Sequence, residues 1–89
     1  VDLKPLLALP NIGRAGAQDL VVLGIRTPED LKGQDPLTLY RRLEEVTGHR
    51  HDLCVLDVLM SVVHFVETGE AKRWWEFTPA RKAMLASQS

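Results

Sequence analysis

Residues 52–68 of this 89-residue chain, DLCVLDVLMSVVHFVET, constrain the fold more than any other stretch. A helix drawn through them carries apolar side chains around nearly its whole circumference: Leu53, Val55, Leu56, Val58, Leu59, Met60, Val62, Val63, Phe65 and Val66. Asp57, Ser61, His64 and Thr68 recur at helical spacing and define one narrow polar stripe, read here as solvated. A helix this apolar must be enclosed by its neighbours or shared with a second subunit, so a homodimer joined along it is one expectation. No apolar run approaches the roughly 18 residues of a membrane span. Cys54 is the single cysteine, which excludes an internal disulfide and suits a reducing compartment. The opening Val-Asp-Leu-Lys has neither the basic nor the apolar region of a signal peptide, and the expected location is cytoplasmic, away from membranes.

Prolines and glycines partition the rest. Thr27-Pro28, Asp35-Pro36 and Thr78-Pro79 each read as an N-cap followed by proline in the first helical position. Gly24, Gly33, Gly48 and Gly69 follow apolar or amphipathic segments, where a left-handed C-terminal cap suits glycine. Helices are therefore predicted at 2–9, 13–23, 28–32, 36–47, 52–68 and 79–87, and no segment alternates like a strand. The 36–47 helix is amphipathic, with Leu37, Tyr40, Leu43 and Val46 inward and Arg41, Arg42, Glu44 and Glu45 outward. The expected fold is all-α: a single helical domain over 1–89. Residues 1–25 form a first unit of two helices joined by a hairpin, and 26–47 a degenerate second one. The central helix at 52–68 and an aromatic segment with C-terminal helix at 72–89 complete it.

The stretch Leu9-Pro10-Asn11-Ile12-Gly13 has a direct physical logic. Pro10 ends the preceding helix, because the residue before a proline is pushed out of the helical region. Asn11 and Gly13 tolerate positive φ and Ile12 between them can plug a core. A helix starting near Arg14 presents unpaired amides, an anion site. The phosphate-contact candidates are Asn11, Ile12, Gly13, Arg14 and Gly16. A net charge of −1 leaves no general basic excess, so nucleic-acid binding would be weak, non-specific and local.

Three other groupings bear on function. Asp57, Ser61 and His64 contain the residue types of a nucleophile triad, yet they share one helix and lack an oxyanion hole from other elements. His49, His51, Asp52 and Cys54 match no closed zinc spacing, and Asp52 reads better as an N-cap. Cys54 is read as packing inward rather than as a thiolate activated by the helix N-terminus. Lys72, Arg73, Trp74 and Trp75 form a candidate patch for a nucleobase or a partner protein. Against that stands a plainer expectation, in which one tryptophan and Phe77 seal the core. Arg26, Lys32, Arg41, Arg42, Arg81 and Lys82 read as solvated.

Leu9-Pro10-Asn11-Ile12-Gly13, with Ala17, Leu20 and Leu23-Gly24-Ile25, resembles the helix-hairpin-helix pattern of compact SAM-like domains, usually Leu-Pro-Gly-Ile-Gly. The longer run from Asn11 through Leu31 resembles the C-terminal domain of TfoX-type competence regulators. Asp35-Pro36, Leu39-Tyr40, Asp52-x-Cys54 and Trp74-Trp75 extend the match to small bacterial proteins labelled "pathogenicity locus" or "mitomycin resistance". The hairpin resemblance implies phosphate contacts from the amides of Asn11, Gly13 and Gly16. It also implies a monovalent cation held by the carbonyls of Leu7, Leu9 and Ile12, with no other cofactor. Asn11 in place of the first glycine, and Asp19 where DNA-binding members often carry a cation, depart from the pattern. The function expected is a non-catalytic module contacting the DNA backbone without reading sequence, in a DNA-damage or mitomycin-resistance setting. The alternative is a protein-interaction adaptor or homodimer in which the hairpin is structural.

Overall fold

The computed structural model describes residues 2–88, and all regular structure in that range is helical. Helix α1 spans Lys4–Leu7, α2 Arg14–Val22, α3 Pro36–Thr47, α4 Leu53–Thr68 and α5 Thr78–Gln88. Two 3₁₀ turns, Pro28–Leu31 and Trp74–Phe77, complete the order, the first before α3 and the second before α5. The first helix is shorter than predicted. The Leu9 amide bonds back to the Leu6 carbonyl at 3.0 Å, closing a turn ahead of Pro10.

Local capping explains most boundaries. The Asp35 carboxylate accepts the Thr38 amide at 3.1 Å and Asp52 accepts the Cys54 amide at 3.2 Å, so both aspartates start their helices as expected. Asp30 folds back onto the amides of Arg26 and Thr27, at 2.9 and 3.1 Å, and these bonds hold its carboxyl below the usual range. Helices α3 and α4 both end at a glycine with φ near +75°, Gly48 and Gly69, a conformation that penalises any Cβ.

Thr78 departs from its expected role. It lies inside the helical region at φ −56°, and its hydroxyl donates to Asp57 Oδ2 at 2.7 Å instead of capping α5.

Buried side chains from every part of the chain up to α4 form one cluster, including Leu6, Leu20, Leu31, Leu39, Leu43, Leu56 and Val62. Within its own chain, helix α4 packs against α3, α5 and both 3₁₀ turns, with Leu53 left 41% exposed. Val46 is exposed at 58%, not inward as its helical spacing predicts. The buried arc of α3 ends one turn earlier, at Leu43, and Leu39 joins it because α3 touches α2 as well as α4.

Asp57 and Ser61 are fully buried, not solvated. Asp57 Oδ1 receives Arg81 Nε at 2.9 Å, and Oδ2 receives Thr78. The Arg81 side chain is itself largely buried, contrary to its assignment to a solvated face. Burying a carboxylate in the middle of Leu56-Asp57-Val58 is costly without such partners. Helix α5 contributes no fully buried residue, and Met84 and Leu85 rest against the core from outside. The bonds of Thr78 and Arg81 to Asp57, with that small apolar contact, hold it.

Candidate nucleic-acid interface

Helix α2 begins at an N-cap, Gly13, that has no side chain with which to cap it. The first intrahelical bond closes from the Ala17 amide to the Gly13 carbonyl at 2.9 Å. Among the described residues, no acceptor takes the amides of Arg14, Ala15 or Gly16. Those three donors sit at the positive end of the helix dipole, where an anion is favoured. Arg14 is exposed, and none of the ion pairs among the described residues involves it.

The turn is shaped differently from the sequence expectation. Gly13 has φ −97°, an ordinary extended conformation, while Asn11 alone takes the left-handed one at φ +66°. One such residue suffices to reverse the chain, and asparagine tolerates it better than most. Ile12 is half-buried against the core, as a plug should be. Gly16 faces it: a Cβ there would stand 3.4 Å from Ile12 Cδ1.

Asn11 does more than turn the chain. Its side-chain amide donates to Ser61 Oγ at 3.0 Å and to the Lys72 carbonyl at 2.7 Å. The Ser61 hydroxyl in turn donates a hydrogen bond to the Val58 carbonyl at 2.7 Å. The turn is thereby tied to α4 and to the segment that leads into the tryptophans. Beside it lies an open groove of about 420 Å³, floored by Cys54, Val55 and Val58, with Asp19 on its wall. Cys54 is half-buried, and burial, then the neighbouring Asp52, push its thiol up rather than down.

In the 72–75 segment, Trp75 is 50% exposed and Trp74 half-buried, their rings edge-to-face with centroids 5.6 Å apart. The Arg73 guanidinium lies 5.3 Å from the Trp75 ring centre, and Lys72 pairs with Glu70 at 3.7 Å. No residue of the Trp74–Phe77 turn is buried. Neither Trp74 nor Phe77 belongs to the core cluster; Met60, Phe65, Met84 and Leu85 flank it instead. The turn runs over the outside of α4, with Phe77 edge-on to His64 at 5.5 Å.

The remaining groupings are dispersed by their own partners. Asp57 binds Arg81, Ser61 binds Val58 and Asn11, and His64 Nε2 meets Glu70 at 2.7 Å, so the three do not form a relay. His51 shares a hydrogen bond with Thr47 at 2.8 Å, its carbonyl accepts the Tyr40 hydroxyl, and His49 stacks on it at 4.5 Å. Among the described residues no three His, Cys, Asp or Glu side chains are grouped to hold a metal ion. No helix of the described residues is long and apolar enough to cross a membrane.

The links from Asn11 to Lys72 and from Asp57 to Arg81 were not foreseen. The second had a signal in the isolated carboxylate of an apolar helix; the first had none, because its partners lie 50 and 61 residues away.

The family described as Pathogenicity locus (Cdd1) matches residues 1–83. The chain is 39% identical over 87 residues to "Mitomycin resistance protein McrB" of Streptomyces lavendulae, covering 98% of this chain and 83% of that protein. No solved structure matches it. On both the family match and the relative, the chain belongs to the pathogenicity-locus family.

Proposed function

We propose that this protein is a non-catalytic helix-hairpin-helix module that holds DNA backbone phosphates without reading sequence, in the mitomycin-resistance setting its relative's name describes. One observation carries the proposal: the uncapped amides of Arg14, Ala15 and Gly16, beside an exposed Arg14 side chain that joins none of the ion pairs among the described residues. A phosphate oxygen satisfies such donors directly, and the helix dipole adds to the attraction. With a net charge of −1, little long-range steering assists, and the affinity rests on this local grip. A monovalent cation on the carbonyls of Leu7, Leu9 and Ile12 belongs to the same proposal. Neutral carbonyl oxygens suit a hard cation, and the turn's closing bond falls on Leu6 rather than Leu7.

Gly13→Asp tests the grip cleanly. Nothing lies within 4 Å of a Cβ at Gly13 and its backbone is extended, so aspartate fits as an N-cap. It would occupy the free amides and repel phosphate, while stability changes by only a few tenths of a kcal/mol. Fluorescence anisotropy with short DNA at about 50 mM salt should show salt-sensitive binding by the wild type that Gly13→Asp abolishes. Equal binding by both proteins rejects the proposal. The adaptor alternative draws on Asp19 beside the amides; a partner or homodimer would then form without DNA, which sedimentation at several concentrations reads.

A further inference from the structure

We infer that the target is a DNA strand with an unpaired base, its phosphate on the α2 amides and its base against Trp75. This rests on the phosphate-grip proposal and narrows its ligand. The Asn11 side chain joins the two parts. Its 2.7 Å bond to the Lys72 carbonyl fixes the residues leading to Trp75 beside the turn that opens α2. Lys72 is three residues from Trp75 and Asn11 three from Arg14, so each arm of this junction extends at most about 11 Å.

The chemistry of the second part favours a base. Trp75 is half-exposed with Arg73 across its ring, and Arg73 is in none of the ion pairs among the described residues. Indole faces and guanidinium planes both stack on nucleobases. In a duplex those base faces are hidden in the stack, and only an unpaired base offers one. Charge argues the same way. With a net charge of −1, the chain gains little from the dense phosphates of a duplex, so stacking must supply the preference. One stacked base is worth roughly 5- to 150-fold in affinity.

The test uses Trp74→Phe, which leaves Trp75 as the sole indole, with three probes of equal length at about 50 mM salt: oligo(dT), an abasic strand and a duplex. Oligo(dT) should quench the Trp75 emission and bind roughly tenfold tighter than the other two. In the wild-type background, Trp75→Ala and Trp75→Leu should both lower oligo(dT) to the abasic level. Asn11→Gly, which keeps the left-handed turn but frees the junction, should narrow the gap between oligo(dT) and abasic strand. Equal, salt-sensitive binding of all three probes, unchanged by the Trp75 variants, overturns the stacking inference and leaves the phosphate grip standing. No salt-sensitive binding to any probe overturns both.

Discussion

The hairpin and the C-terminal helix both dock on α4 through polar side chains one turn apart, yet they finish the job differently. At Asp57 the join is closed: Arg81 takes one oxygen, Thr78 takes the other, and the group is sealed from solvent. At Ser61 the join is made by Asn11 alone, and three amides just beyond it stay without acceptors. Closure of the first kind is what structure requires of a buried charge. Open donors of the second kind do nothing for the fold, and they mark the end of the molecule at which binding is proposed.

The sharpest way to break this comparison is at the closed end. Arg81→Met leaves the Asp57 carboxylate buried beside a thioether, and urea unfolding should register a loss of about 3 kcal/mol or more. Asp57→Leu combined with Arg81→Met should recover much of that loss. A change under 1 kcal/mol in the single variant would mean the carboxylate reaches water.

Asn11 gives a middle-sized effect and separates its two roles. Asn11→Ala loses both hydrogen bonds and forces an alanine to φ near +66°, for about 2–3 kcal/mol in total. Asn11→Gly keeps the backbone at ease and loses only the bonds, so the glycine variant should be the more stable by about 1 kcal/mol. Equal unfolding midpoints for the two would show that the left-handed turn is not retained.

The smallest effect is at Asp30, exposed and held in its charged form by the amides of Arg26 and Thr27. Its folded pKa lies below the ordinary carboxylate value, so its contribution is present above that ordinary value and fades as pH falls through the folded pKa. Amide shifts of Arg26 and Thr27 should move in that acid range and nowhere above it.

The pattern of successes in the sequence follows the range of the interactions. Asp35 and Asp52 cap amides two or three residues on, and Gly48 and Gly69 answer a purely local backbone demand, so each boundary was legible from neighbours. The apolar circumference of 52–68 pointed to a helix contacted on several sides, and α4 meets α3, α5 and both turns. Val46 failed because helical periodicity cannot tell where the covering helix stops. Asp57 and Ser61 failed because their partners are 21 to 50 residues away, and a polar stripe looks the same whether water or arginine meets it. At the site, the uncapped start of α2 was visible in the lack of a capping residue at Gly13. Its junction with Lys72 exists only in three dimensions.

The thin attachment of α5 has a kinetic consequence. With no residue fully interior, this helix can lift away as a unit while α4 remains packed. Its backbone protons should trade with deuterium well before those of α4, and a protease should nick the 78–88 arm first. Such fraying would not release the Lys72 carbonyl from Asn11, since that knot precedes the hinge.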